Sequence, residues 1–188
     1  LAGYESYNLK LQELQGSNTK IYNPTIGELN NAIASPPRVA SFTNEYTTMG
    51  YLARIQYDYD EKYFVSASYR RDASSRFHPD NRWGNFGSVG LAWLINKENF
   101  MSNVSWIDML KFKASYGIQG NDNLGNYYAY ADQYSVTNSN GDFAVSFSYK
   151  GNKDITWETS YAFNTGFDFE LFGNRLNGTV EYFNRKTV

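Results

Sequence analysis

Cysteine is missing from the 188 residues, so there is no disulfide framework, no thiol nucleophile and no cysteine-based zinc site. Histidine occurs once, at His78, which excludes any centre that needs two. An excess of one charge is also missing, since 17 Lys and Arg against 19 Asp and Glu leave a net charge of −2. A chain so balanced has no global pull on DNA or RNA, and nucleic acid is not an expected partner. No run of about 18 apolar residues occurs, so no spanning helix is expected. The opening Leu1-Ala2-Gly3-Tyr4-Glu5 has no leader pattern, and no signal peptide is expected. Helical periodicity is almost absent. What the chain has in excess is aromatic side chains, 17 Tyr, 13 Phe and 4 Trp, at a mean hydropathy of −0.59.

Period-two alternation is plain from residue 49 onward and predicts six strands, at about Gly50–Tyr59, Lys62–Arg70, Phe86–Ile95, Leu110–Ile118, Thr156–Glu170 and Arg175–Arg185. Several reach the roughly 9–11 residues that a tilted strand needs to cross a bilayer. One face collects Tyr51, Ile55, Tyr57, Tyr63, Val65, Val89, Leu91, Phe112, Tyr116, Phe163, Phe167, Val180 and Tyr182, and it carries no charge on any strand. The other carries Arg54, Asp58, Arg70, Lys111, Lys113, Glu158, Asp168, Glu170, Glu181 and Arg185, with Phe64, Leu94 and Phe183 as apolar exceptions. Lipid would impose this asymmetry, because Arg or Lys on a lipid face costs about 2–4 kcal/mol at mid-bilayer. Arg71 shares the apolar phase only at a strand end, where the cost falls to about 0–1 kcal/mol.

The connections differ by end. Tight turns fall at Asp60-Glu61 and at Leu171-Phe172-Gly173-Asn174. Long loops fall near 71–85 and 119–155, and a medium segment spans Asn96–Met109. Short turns at one end and long loops at the other describe an outer-membrane barrel. A soluble antiparallel sandwich, whose apolar face is a core, gives the same alternation, and a soluble carbohydrate-binding module is the alternative reading. Long strands, tyrosines near strand ends and a mixed-charge second face favour the membrane. Six strands cannot close a membrane barrel, for which eight is the observed minimum, so the barrel reading makes this chain a fragment. Residues 1–48 read mainly as a long extracellular loop following a barrel strand. Asn23-Pro24 and Ser35-Pro36-Pro37 act as breaks, and Thr25 and Glu28 stand at capping-box spacing before a short helix through Leu29 and Ile33.

Chemistry has few candidates. The densest polar cluster runs from Arg70 to Gly84, with four Arg, two Asp, His78 and Trp83. It can bind an anionic or sugar ligand, or pair with itself and hold the loop on a rim. The run Gly120-Asn121-Asp122-Asn123-Leu124-Gly125-Asn126 reads as a carboxamide-rich turn; it has too few carboxylates for calcium. Gly84, Gly87 and Gly90 precede no helix and mark close backbone approach, not a phosphate loop. Asp168 and Glu170 share a strand face, which lumen-lining charge explains. No catalytic signature, metal site or cofactor is expected. Arg76, His78, Asp80, Arg82, Trp83, Asn121, Tyr127 and Tyr128 are the candidate contacts for a substrate or a lid.

The order of motifs then becomes recognisable. Gly50-Tyr51-Leu52-Ala53-Arg54-Ile55-Gln56-Tyr57-Asp58-Tyr59, Ser66-Ala67-Ser68-Tyr69-Arg70-Arg71-Asp72-Ala73-Ser74-Ser75-Arg76-Phe77 and Asn81-Arg82-Trp83-Gly84 lead it. Leu110-Lys111-Phe112-Lys113-Ala114-Ser115-Tyr116-Gly117, Trp157-Glu158-Thr159, Gly166-Phe167-Asp168 and Asn174-Arg175-Leu176-Asn177-Gly178 follow. Together they resemble the TonB-dependent outer-membrane receptors of the SusC/RagA type, with Ala73 where that family typically has Gly. Gly3-Tyr4-Glu5 resembles the end of a preceding barrel strand. The resemblance implies an all-β, antiparallel up-and-down meander, part of a 22-stranded transmembrane barrel whose N-terminal plug is absent here. It implies import of a large nutrient, a glycan or a peptide, across the outer membrane of a Gram-negative bacterium. It implies a SusD-type surface lipoprotein as lid, the TonB complex acting through the missing plug, outer-membrane lipid around the wall, and no enzyme activity.

Overall fold

The computed structural model describes residues 1–33 and 38–188. Nine strands account for the regular structure among them. They are β1 (Ala2–Ser17), β2 (Arg38–Tyr59), β3 (Tyr63–Ser74), β4 (Trp83–Leu94), β5 (Ile107–Asn121), β6 (Gln133–Ser139), β7 (Asp142–Tyr149), β8 (Glu158–Leu171) and β9 (Leu176–Thr187). Seven form one sheet in the order β1-β2-β3-β4-β5-β8-β9, and β6 and β7 form a separate hairpin. From β2 onward every paired neighbour is antiparallel. The all-β meander read from the alternation is therefore what the chain adopts.

The chain divides into two compact units. The smaller, Asn8–Thr47, holds long stretches of β1 and β2, so much of residues 1–48 is paired strand and not irregular chain. Lys10 pairs with Glu45 at 3.2 Å, and the Asn8 amide donates to the Thr47 hydroxyl at 2.9 Å. These segments carry no sustained apolar alternation, so period two does not reveal them; the ladder forms without an apolar face to bury. The expected short helix is a single 3-10 turn at Leu29–Asn31. Thr25 does not cap it, since its amide and hydroxyl both donate to the Asn23 side chain. The break expected at Ser35-Pro36-Pro37 lies outside the described residues.

The larger unit, Leu1–Tyr7 with Thr48–Val188, holds the six expected strands, several of them longer than read. β3 runs on through Arg71-Asp72-Ala73-Ser74, and β5 reaches Asn121. The loop expected near 71–85 thereby shortens to 75–82. Beyond the apolar band both faces meet water, so side-chain alternation stops while backbone pairing continues. The tight turns are where expected. Asp60 and Glu61 both take left-handed backbone, at φ of 54° and 47°. In the other turn Phe172, Gly173 and Asn174 do so in succession.

Register lines the apolar side chains up in rows. One runs Tyr57, Val65, Leu91, Ala114, Thr165, Tyr182, and the next Tyr59, Tyr63, Trp93, Phe112, Phe167, Val180. Among the described residues no second layer covers this face. Ile55 is 72 % exposed and Val180 64 %. A sandwich would bury these residues, so the alternative fold finds no support. Aromatic clusters bracket the band. Tyr4, Tyr51 and Trp83 lie at the loop end, and Tyr59, Tyr63 and Trp93 at the turn end. Tyr51 and Tyr59 are eight residues apart, about 26 Å along a strand and about 20 Å across a bilayer at barrel tilt, close to the roughly 25 Å apolar band of such walls. Arg71 and Asn85 are register partners at its loop-end edge, level with Tyr51.

At the turn end, the Tyr63 hydroxyl and the Trp93 indole both donate to the Glu98 carboxylate. These two bonds hold Glu98 below its ordinary pKa of 4.5. A carboxyl lowered in the folded state stabilises the fold above its unfolded pKa and loses that contribution as pH falls through the folded value. This fastening of the turn-end aromatics is expected to hold at neutral pH and to release on acidification below 4.5. Glu98→Gln is expected to flatten that dependence. Hydrogen exchange across residues 95–101 at graded pH checks it, and an identical acid profile in Glu98→Gln would sink it.

Candidate functional site

Two regions can meet a ligand: the charged face of the sheet and the loops at the end opposite the tight turns. The charged face is organised in rows. Arg54, Ser68, Ser88, Gly117, Ala162 and Arg185 form one, and Gln56, Ser66, Gly90, Ser115 and Asn164 lie beside it. Small side chains leave a groove of about 740 Å³ lined by Gln56, Asp58, Ser66, Ser115, Asn164 and Glu181. Two cations of this face are each shared between two carboxylates. Lys113 pairs with both Asp168, at 2.9 Å, and Glu181, while Arg70 pairs with Asp72 at 3.2 Å and Glu5 at 3.1 Å.

The loop end is fastened by a small core. Phe77 is fully buried and packs on Trp157 at 5.3 Å, and Trp157 meets Phe86 edge-on at 5.1 Å. Phe86 lies where a side chain on Gly84 or Gly120 would stand, so both glycines are required by its ring. The Trp157 indole donates to the Arg82 carbonyl at 3.0 Å. The buried Ser74 hydroxyl donates to the Asp122 carboxylate at 2.6 Å. Through these contacts the 75–82 loop and the segments flanking the hairpin are held together.

The candidate residues separate on this scaffold. Arg76 donates to the Asp122 carbonyl and the Asn123 side chain, both at 3.1 Å, and lies 5.1 Å over the Tyr127 ring. Tyr128 stands beside Tyr127, with ring centroids 6.4 Å apart. The Asn121 amide donates to Glu158 at 2.8 Å. His78 lies 3.3 Å from the Asp80 carboxylate and edge-on to Tyr130. Arg82 reaches the Phe77 carbonyl, at 3.5 Å. Trp83 falls elsewhere, on the apolar face, stacked on Tyr51 with Arg71 over its ring. Arg76, Asn121, Tyr127 and Tyr128 are thus brought together, His78 and Asp80 stand nearby, and Trp83 belongs to the loop-end aromatic cluster. Ser74, Phe77 and Asp122 organise the loops and carry no signal of it in sequence. The 2 residues Asn140-Gly141 between apolar alternations do announce the β6–β7 hairpin, inside the stretch read as loop.

Residues 2–187 match the model of the TonB dependent receptor-like, beta-barrel family. The chain belongs to this family. Among curated relatives, TonB-dependent receptor P39 of Formosa agariphila is 41% identical over 138 residues, covering 72% of this chain and 13% of the relative. TonB-dependent receptor SusC of Bacteroides thetaiotaomicron is 32% identical over 154 residues, covering 78% of this chain and 15% of SusC. The solved structure of the RagAB peptide transporter superposes with a TM-score of 0.87 at 27% identity, over 99% of this chain and 21% of that one. The RagAB peptide importer in its 'open-open' state gives 0.83 at 28% identity. This TonB-dependent receptor chain is thus of the SusC/RagA type, and it spans a small part of the length of its relatives. Its uncovered apolar face and its charged face are the two sides of a barrel wall.

Proposed function

We propose that this chain is a stretch of wall in a 22-stranded outer-membrane barrel that imports a large nutrient, a glycan or a peptide, in a Gram-negative bacterium. The observation that carries the reading is the apolar face, in register over successive strands and uncovered among the described residues, with charge only at Arg71 and Lys186 near its loop end, backed by a face rich in charge. Lipid suits the first face and a water-filled lumen the second. A SusD-type surface lipoprotein closes the loop end, and the TonB complex supplies energy through a plug in the parent chain. The mechanism is binding and gated passage, without covalent chemistry by these residues. Tyr128, His78 and Asp80 are the side chains offered to substrate or lid; Arg76, Tyr127, Asn121 and Arg82 shape the loops that present them.

The test uses the parent polypeptide. It is expected in the outer-membrane fraction at a mass on the order of 100 kDa, as a large barrel with a plug requires. The triple change His78→Ala, Asp80→Ala, Tyr128→Ala is expected to lower uptake of the cognate oligosaccharide or peptide at least several-fold while the barrel still assembles. A parent of about 20 kDa in a soluble fraction would overturn the transporter reading, because no membrane barrel closes with so few strands. Wild-type uptake by the triple variant would overturn the contact assignment alone.

A further inference from the structure

The β6–β7 hairpin is two-faced. Tyr134 pairs with Phe147, Val136 with Val145 and Asn138 with Phe143 on one side; Ser135 pairs with Ser146 and Thr137 with Ala144 on the other. The Ser135 and Ser146 hydroxyls are hydrogen-bonded at 2.9 Å, and the Tyr134 and Phe147 rings meet edge-on at 5.6 Å. The apolar side is bare, with Phe143 89 % exposed and Val145 66 %. Its turn is built for a fixed shape, since Asn140 and Gly141 are both left-handed, at φ of 55° and 97°. Its base is fastened too. The Gln133 amide donates to the Tyr128 carbonyl, the Gly151 amide to the Asp132 carboxylate and the Asn152 amide to the Ala129 carbonyl. A preorganised element loses little freedom on binding.

We infer that the apolar face of this hairpin is a docking surface for the lid lipoprotein; this rests on the transporter reading above. Three observations select that occupant. The hairpin leaves the sheet at the loop ends of β5 and β8, beyond the Arg71–Asn85 boundary of the apolar band. Lipid tails do not reach there, and the hydroxyl-bearing reverse side suits water. The exposed side chains of the face present roughly 600 Å², at the top of what a soluble surface leaves open. That approaches the roughly 800 Å² which one partner contributes to a stable protein interface. The face also carries no charge, Asp142 falling in phase with the Thr137–Ala144 side, and of the nearby loop groups Arg76 is held by Asp122 and Asn123 and His78 by Asp80. What it matches is an uncharged apolar patch on a folded protein, not a soluble polar cargo.

The experiment places a photo-crosslinking phenylalanine analogue at Phe143, and separately at Thr137, in the full-length parent chain in cells. Heat-modifiable migration confirms barrel assembly. Irradiation at Phe143 is expected to yield an adduct whose second component, by mass spectrometry, has a lipid-modified N-terminal cysteine; Thr137 is expected to yield at least tenfold less. An adduct with a second copy, with another segment of the parent chain or with lipopolysaccharide would overturn the inference, as would no adduct. Detergent purification of the wild-type parent separates the two levels. If it retains no lipoprotein, the lid reading itself fails. If it retains one and Phe143 captures nothing, only the hairpin assignment fails. As a second line, Phe143→Asp with Val145→Asp is expected to reduce retained lipoprotein at least tenfold, and Thr137→Asp to leave it unchanged. Full retention by the double variant would count against the inference.

Discussion

Leu91→Arg is expected to destabilise the assembled parent barrel by about 2–4 kcal/mol, the cost of an Arg side chain on a lipid face at mid-bilayer. Leu91 sits mid-band, opposite Val65 and Ala114, and is 49 % exposed, with no second layer over it among the described residues. Leu91→Ala separates charge from size, because the leucine side chain is only half shielded by neighbours. It is expected to cost clearly less than Leu91→Arg. Arg71 supplies the internal contrast. It lies in the same phase at the edge of the band, opposite Tyr51 and over the Trp83 ring, where the cost is about 0–1 kcal/mol. Arg71→Leu is therefore expected to move stability little. Refolding of the parent into vesicles across a urea series reads all three. Equal values for Leu91→Arg and Leu91→Ala would remove lipid from the account of this face.

The second large effect belongs to the loops. Phe77→Ala removes a fully buried ring from between the two loop segments, and truncation of a buried Phe costs about 3–5 kcal/mol. The loss is expected to be local. The sheet keeps its ladders, while the 75–82 loop and the hairpin flanks separate and become open to proteases. Phe77→Leu, which keeps most of the volume, is expected to retain protection. Limited proteolysis of the assembled parent, read by the sites of first cleavage, checks it. Protection unchanged in Phe77→Ala would mean that the hydrogen bonds from Ser74 and Trp157 suffice without the ring.

The sequence carried the wall more clearly than the mouth, for a physical reason. A strand between lipid and water must alternate, and Tyr63-Phe64-Val65-Ser66-Ala67 does so visibly. The register partners then follow from the tight turns at Asp60-Glu61 and Phe172-Gly173. Outside the band that constraint ends. β1 and the first half of β2 form ladders without alternating, and period two alone left them out. The loop core was illegible for another reason. Phe77 and Trp157 are 80 residues apart and meet only because β4, β5 and β8 bring their ends together. Trp83 misled because it neighbours the charged loop in sequence but faces the apolar side. The hairpin could have been read, since Asn140-Gly141 between Val136 and Val145 is a strong turn signal inside a stretch treated as loop.

The shared ion pairs of the charged face bear on how firmly it can hold a charged molecule. A charged molecule is held wherever a free charge or deep pocket meets it, and each 1.4 kcal/mol of such a well strengthens the hold tenfold. Lys113, divided between Asp168 and Glu181, and Arg70, divided between Asp72 and Glu5, are already answered by their own neighbours. Between them lie Ser66, Gly90 and Ser115, whose small side chains open the groove beside Gln56 and Asn164. At Lys113 and at Arg70, a charged group arriving from solution must therefore displace a carboxylate already in place before it can be held.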